Sequence, residues 1–199
     1  MATLIPSPDK SNGYEEFAEH IMHARNVRIG PRTVKEWSKS LPLRSAVLDL
    51  GCGSGMPISQ ALVEEGFQLY GVDASQKMIR AFRDRFPSAP AEHAAAEDSA
   101  FFNRRFDGVV AWGLIFLLPE DLQRIVLTRA AKALAPRGQL LFTSPEKPVT
   151  WSDSITGRES RSLGAPVYHD LLLSAGLGVT GHTVDEGENY YYFAVNPAS

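Results

Sequence analysis

Val47-Leu48-Asp49-Leu50-Gly51-Cys52-Gly53-Ser54-Gly55 is the stretch on which the fold turns. Ala46 to Leu50 is a short β-rich run ended by glycines. Pro57 then stands where the first turn of a helix tolerates a missing N–H, and it leads into the apolar-periodic run from Ile58 to Gly66. The unit is therefore strand, glycine loop, helix. It recurs downstream: Phe67 to Val72 is a second apolar run stopped by Asp73, and Ser75 is placed to cap a helix in which Met78, Ile79 and Phe82 share a face. Phe106 to Trp112 is almost continuously apolar, as a strand covered on both faces must be, and so belongs at the centre of a sheet. Pro119 opens a helix with a stripe through Leu122, Ile125, Val126, Ala130, Ala133 and Leu134. Pro136-Arg137-Gly138 ends it before a strand over Gln139 to Thr143.

Alternation of this kind implies right-handed crossovers and an α/β, Rossmann-like, doubly wound sheet, whose ligands sit beyond the carboxyl ends of the strands where the strand order switches. The tail departs from the pattern. After a helix over Val167 to Ala175, the runs Leu177 to Val184 and Tyr190 to Val195 are separated only by Asp185 to Asn189. So short a link permits only a hairpin, so the last strand is expected antiparallel in an otherwise parallel sheet. Ahead of the first strand, Ser11 or Asn12 can cap a helix over Tyr14 to Arg25, and Pro31 can begin another over Arg32 to Ser38. Residues 1–42 are then a helical lid on a core of residues 43–199, the whole forming one domain.

Composition narrows the function classes. The 199 residues carry 44% hydrophobic and 22% charged side chains, with a net charge of −3; pI is near 6.0 and mean hydropathy −0.15. No cationic footprint for a phosphate backbone is present, so no nucleic-acid partner is expected. The longest apolar run, Gly108 to Leu118, is closed by Asp107 and Pro119 and is too short for a membrane span. The N-terminus has no basic segment leading into an apolar stretch, and Cys52 is the only cysteine, which excludes an intrachain disulfide and thiol zinc clusters. A cytoplasmic protein without a metal is expected.

The glycines at 51, 53 and 55 let the backbone turn sharply and aim N–H groups at a ligand from a helix N-terminus. A dinucleotide fingerprint needs G-x-G-x-x-G, but Met56 occupies its third position; the phosphate loop G-x-x-x-x-G-K-[ST] occurs nowhere. A nucleoside ligand without a pyrophosphate remains. Asp73, at the end of the second strand and 22 residues after Gly51, can accept hydrogen bonds from both hydroxyls of a ribose lying over the loop.

Four segments in this order, Val47 to Gly55 (VLDLGCGSG), Tyr70 to Ser75 (YGVDAS), Ala96 to Phe102 (AEDSAFF) and Phe106 to Gly113 (FDGVVAWG), resemble the class I S-adenosylmethionine-dependent methyltransferases of the small-molecule type. The resemblance covers roughly residues 44–145, and the terminal hairpin matches the family's seven-stranded sheet. It implies S-adenosylmethionine as cofactor and S-adenosylhomocysteine as product. Gly51, Cys52, Gly53 and Gly55 would line the methionine and ribose portion, Asp49 would orient the amino group, and Asp73, beside Ala74, would hold the ribose. Ala96, Glu97 and Asp98 would edge the adenine, a backbone amide meeting N1 and Asp98 the exocyclic amine. Ala95 stands where many relatives have an acidic residue. Trp112 would lie beside the methionine moiety. In similar enzymes a helix like the first one closes over the cofactor, Arg25 then pairing with the methionine carboxylate and Tyr14 shielding the methyl group; the alternative is a helix packed outside the sheet.

A sulfonium is already an activated methyl donor, so the protein needs chiefly to align an acceptor and exclude water. The central strand ends in Ala111-Trp112-Gly113, without the Asn/Asp-Pro-Pro-aromatic motif of amino-DNA methyltransferases, a Pro-Cys for C5-cytosine attack, or an acid for a catechol-type magnesium. A small-molecule acceptor is left. Phe116, Arg158, Arg161, Glu186 and Tyr190 are expected to surround it, with Phe116 standing where many such enzymes carry a histidine. No catalytic base is assigned. A noncatalytic S-adenosylmethionine-binding protein and an atypical NAD-linked oxidoreductase are the competing readings.

Overall fold

The computed structural model describes residues 9–24 and 26–197. Nine strands are present among them: β1 (Ala46–Leu50), β2 (Gln68–Asp73), β3 (Ala91–His93), β4 (Phe106–Ala111), β5 (Leu134–Thr143), β6 (Val149–Ser152), β7 (Glu159–Ser162), β8 (Gly178–Val184) and β9 (Tyr190–Val195). Seven form one sheet in the order β3-β2-β1-β4-β5-β9-β8, and β6 and β7 form a separate hairpin. β1 to β5 are mutually parallel, while β9 runs antiparallel to both β5 and β8. The seven-stranded, mostly parallel sheet with an antiparallel hairpin strand is thus the one the sequence predicts. Strand order reverses between β1 and β4, so the carboxyl ends of those two strands, at Gly51 and Trp112, flank the switch point.

Side-chain alternation in the central strands divides the core in two. Leu48, Leu50, Val109, Ala111, Leu140, Phe142 and Tyr192 face Val126, Leu127 and Ala130 of α5 (Glu120–Ala133) and Tyr168 and Leu172 of α6 (Ala165–Ser174). Val47, Val110, Leu141 and Tyr191 face α2 (Pro31–Ser38), α3 (Ile58–Glu64) and α4 (Gln76–Arg85), through Val34, Trp37, Ile58, Leu62, Ile79 and Phe82. Both faces of β1, β4 and β5 are therefore covered, which is why these strands read as continuous apolar runs. α1 (Tyr14–Ala24) lies apart from both layers, its Ala18 and Ile21 packed on Met78 at the start of α4. Ser75 caps α4 as expected, its Oγ accepting from Met78 N at 3.2 Å.

One expected boundary needs correction, at β5, and two elements, the β6–β7 hairpin and β3, leave no pattern in the sequence. The connection after β5 is a β-hairpin rather than an irregular loop; its strands, VTWS and ESRS, carry too few apolar residues to be seen by periodicity. β5 begins at Leu134 rather than Gln139: Leu134 pairs with Phe106, the pairing shifts register, and it resumes at Gln139 opposite Gly108. β3 has three residues, too few for a pattern. Arg25, expected to end the first helix, lies outside the described residues; the helix is described to Ala24.

Gln123 of α5, fully buried, ties these pieces together. Its Nε2 donates to the carbonyls of Leu118 (2.8 Å) and Arg161 (3.0 Å), and its Oε1 accepts from the Tyr168 hydroxyl at 2.6 Å. One side chain thus joins the loop after β4, the hairpin strand β7 and α6. Gln123→Ala strands the Leu118 and Arg161 carbonyls in the interior and removes one of the partners of the Tyr168 hydroxyl, at a cost of about 2–4 kcal/mol. Thermal unfolding followed by circular dichroism should show a fall in midpoint of roughly 5–12 °C, and a fall of under about 2 °C would mean that this side chain does not join the elements.

Candidate functional site

The carboxyl ends of β1, β2 and β4, with the segment preceding α1, enclose a cleft of about 690 Å³, its open mouth included. The glycine loop forms its floor. Gly51 N and Cys52 N both donate to Val72 O, at 2.8 and 3.1 Å, so the loop leaves β1 still bonded to β2. Asp73 completes the anchoring: its Oδ2 accepts from Gly53 N at 2.8 Å and its Oδ1 from Ser75 N at 2.8 Å. The carboxylate expected to meet a ribose therefore also fixes the loop beneath it.

The glycines differ in purpose. Gly51 and Gly53 line the cleft, both at positive φ (70° and 55°). A Cβ on Gly51 would press on Leu114, whose Cβ would lie 3.0 Å away. Gly55 does not reach the cleft; a Cβ there would lie 2.2 Å from Phe86 Cε2, so this glycine is required by close packing against the end of α4. Cys52 is buried and turned towards β2; burial, and after it the neighbouring Asp73 and Asp49 carboxylates, push its thiol well above the usual range. It is neither a nucleophile nor a cleft-lining side chain. Asp49 is buried below the loop, where its Oδ2 accepts from Ser59 Oγ of α3 at 2.5 Å.

Tyr14, Asp73, Ala74, Ala96, Glu97 and Trp112 do line the cleft with Gly51 and Gly53. Asp98 does not: its side chain is 55% exposed and pairs with Lys10 at 2.5 Å, while Lys10 also approaches Glu97 at 3.3 Å. Trp112 is held through its ring nitrogen. Nε1 donates to the Tyr191 hydroxyl at 2.7 Å, which in turn donates to Asp185 Oδ2 at 2.7 Å. Burial first, and then the bond to Asp185, keep Tyr191 far above its ordinary pKa, so this phenol retains its proton at working pH.

The five residues expected around an acceptor are not brought to the cleft. Phe116 packs its ring on Trp151 of β6, with centroids 5.5 Å apart. Arg158 pairs with Asp9 at 3.1 Å and Arg161 with Glu159. Glu186 is exposed in the β8–β9 turn, and Tyr190 is buried, stacked on His182 at 5.0 Å. The β6–β7 hairpin accompanies the change: it engages Arg161 with its own Glu159 and Arg158 with Asp9 of the turn before α1, and it sets Trp151 against Phe116. The cleft is lined instead by residues that sequence reasoning missed, among them Lys10, Ser11, Asn12, Met78, Leu117 and Leu118. Asn12-Gly13 is a turn signal of known type, but nothing in it says which strand ends the turn will lie across.

α1 is fastened over the cleft. Glu15 Oε2 accepts from Ser75 Oγ at 2.7 Å and from Lys77 N at 3.1 Å. Burial opposes ionisation of Glu15, but the bonds from Ser75 and Lys77 outweigh it and hold the carboxyl below its ordinary pKa. Tyr14 OH reaches Asp153 Oδ2 at 3.4 Å. No group of three or more metal-ligating side chains, and no helix long and apolar enough to cross a membrane, is found among the described residues.

Comparison with known proteins agrees with this arrangement. The family model described as a methyltransferase domain matches residues 47–138, from β1 through the register shift in β5. The chain is 26% identical over 159 residues to 27-O-demethylrifamycin SV methyltransferase of Amycolatopsis mediterranei, covering 68% of this chain and 58% of that one. It is 30% identical over 165 residues to trans-aconitate 2-methyltransferase of Variovorax paradoxus, covering 72% and 62%. Across the curated relatives it matches, it spans 39–62% of their length. Among solved structures, 1,6-didemethyltoxoflavin-N1-methyltransferase of Burkholderia thailandensis, with its substrate and S-adenosylhomocysteine bound, superimposes with a TM-score of 0.73 at 16% identity, covering 100% of this chain and 94% of that one. Motif, strand order and family match agree: residues 47–138 are a methyltransferase domain, on the fold of the class I S-adenosylmethionine-dependent methyltransferases.

Proposed function

We propose that this chain transfers a methyl group from S-adenosylmethionine to a small-molecule acceptor by direct displacement. The observation that carries the reading is the cleft at the strand switch point. Its floor is side-chain-free at Gly51 and Gly53, and the Asp73 carboxylate stands at its edge. Those residues fit the cofactor, because the lining carries no side chain at Gly51 and Gly53 and a carboxylate at a strand end suits a vicinal diol. When bound, the cofactor supplies a methyl group already activated by a sulfonium.

The chain's own residues then have positional tasks. Asp73 would hold the ribose while keeping the Gly53 amide fixed, Ala74 and Ala96 would flank the base, and Asp49 would brace the loop through Ser59. Trp112, locked by Tyr191, would wall the reacting centre. Tyr14 and Ile21 of α1 would cover it and exclude water, with residues 1–42 acting as a lid on a core of residues 43–199. The acceptor would enter between Trp112 and Tyr14. The modest size of the cleft favours a metabolite over a nucleic acid or other polymer. Similarity to methyltransferases whose names specify small acceptors supports the same class.

Incubation with methyl-labelled cofactor and a fractionated metabolite extract tests the reading. Label should pass to a low-mass product; binding of S-adenosylhomocysteine without transfer to any fraction would mean a binding protein rather than an enzyme.

Asp73→Ala removes a charged acceptor from the ribose and frees the loop, so calorimetric affinity for S-adenosylhomocysteine should fall about ten- to a hundredfold. Wild-type affinity in the variant would remove Asp73 from the ribose site.

None of the chain's histidines lines the cleft, and Tyr191 and Cys52 both keep their protons. Catalysis by alignment alone predicts a single-turnover rate that changes less than about threefold between pH 6 and 8 for a non-titrating acceptor. A tenfold fall per pH unit below neutrality, removed by replacing His20 or His23, would establish a histidine base instead.

A further inference from the structure

Six buried side-chain nitrogen or oxygen atoms among the described residues have no hydrogen-bond partner: Asn12 Nδ2, Trp37 Nε1, Ser45 Oγ, Arg129 Nε, Ser160 Oγ and His169 Nε2. Only Asn12 belongs to a residue lining the cleft. Buried donors are paired in the great majority of proteins, so an unpaired one on a residue that lines a binding cleft points to a partner that the ligand brings. Its surroundings offer no substitute. Leu117 and Leu118 beside it are apolar, and the nearby carboxylates of Glu97 and Asp98 are engaged by Lys10.

The presentation of Asn12 is built rather than incidental. Asp9 organises the turn, accepting from Ser11 N at 2.9 Å, Ser11 Oγ at 2.5 Å and Gly13 N at 3.0 Å. The turn is clamped on two sides. Lys10 reaches the acidic pair after β3, while Asp9 pairs with Arg158 and Gly13 backs directly onto Thr156 and Arg158 of the β6–β7 hairpin. Asn12 itself sits at φ 52°, a left-handed conformation that asparagine tolerates better than most residues. It borders the end of the cleft formed by Glu97, Leu117 and Leu118, and a neighbouring groove through the same three residues contains neither Trp112 nor Tyr14. Glu97 is among the residues that the resemblance sets at the adenine, so on the cofactor reading this is the base end.

We propose that Asn12 reads the nucleobase, its side-chain amide donating to the N3 or N7 acceptor of the bound adenine. Both are free acceptors on the purine edges, and neither is the N1 assigned to the backbone amide after β3. The inference rests on the cofactor reading above and adds a base-recognising residue from the turn before α1. The β6–β7 hairpin, which carries none of the acceptor contacts expected of it, then serves to hold this turn in place.

The test is calorimetric titration of the full chain with S-adenosylhomocysteine and its 3-deaza and 7-deaza analogues. Asn12→Gly keeps the backbone conformation accessible and deletes the amide, whereas Asn12→Asp keeps the shape and replaces the donor by an acceptor. Both should bind S-adenosylhomocysteine about three- to tenfold more weakly than wild type. On the analogue that lacks the partner nitrogen, wild type should lose a similar factor and Asn12→Gly should lose nothing further. Unfolding midpoints without ligand should not fall in Asn12→Asp, since no protein partner is lost. Wild-type affinity in both variants, or a mutational loss that persists undiminished on both analogues, overturns the proposal. Failure of the wild-type chain to bind S-adenosylhomocysteine at all would overturn the cofactor reading, and this inference with it.

Discussion

The strand β2 catches the loop that leaves β1, and the cleft depends on that capture. Two amides of the loop bond to the Val72 carbonyl and a third to the Asp73 carboxylate, so pairing between the strands continues beyond the last residues of the sheet. Parallel pairing sets the register, Leu50 opposite Val72, and the register determines where the loop can turn. Gly55 then lets the chain pass against Phe86 before α3 begins. Shape and charge arrive together: the carboxylate that closes the loop is also one that lines the cleft.

A second set of contacts joins the cleft to distant parts of the chain. Trp112 leaves the central strand at the switch point, and its indole is oriented by Tyr191 of the terminal hairpin, which Asp185 holds from the adjoining turn. Asp185 is itself satisfied by the amides of Gly187 and Asn189. The antiparallel strand at the far end of the sequence thus supports a wall of the site at its middle. α1 reaches across in the opposite direction, with Glu15 bonded to the first turn of α4, immediately after Asp73. Such cross-bracing suits a reaction in which alignment supplies most of the rate, because misplacement of even an ångström is costly there.

What the sequence makes legible follows the same physics. Strands buried on both faces leave long apolar runs, so β1, β4 and the sheet order around them are readable from Val47, Val110 and their neighbours. The glycine loop and Asp73 are readable because the chemistry of a turn that must admit a ligand restricts the residue types. Asn12 and Lys10 are not readable, since a turn before a helix has no period, and its position depends on two ion pairs with residues 88 and 149 positions away. The hairpin β6–β7 hides for a related reason: Ser160 and Ser162 are buried there although neither is apolar. Phe116 and the two arginines were expected at the acceptor because their connection lies near the strand ends. Instead Arg161 pairs with Glu159 inside the hairpin, Arg158 reaches Asp9, and the Phe116 ring lies on Trp151.

That displacement bears on how the site achieves selectivity. With Arg158 and Arg161 neutralised locally, the cleft gains no cation from the hairpin, and Glu97 is balanced by Lys10 within the same lining. The rest of the lining includes the Trp112 ring, Tyr14 and Ile21 of α1, and the glycine loop. A pocket of this kind discriminates by shape and by the exclusion of water rather than by charge, and a buried charged acceptor would find no counter-ion among these groups. On the proposed reading, electrostatic recognition is concentrated at the cofactor end, on Asp73 and the turn around Asn12, so that polar groups would hold the donor and apolar walls would aim the acceptor at it.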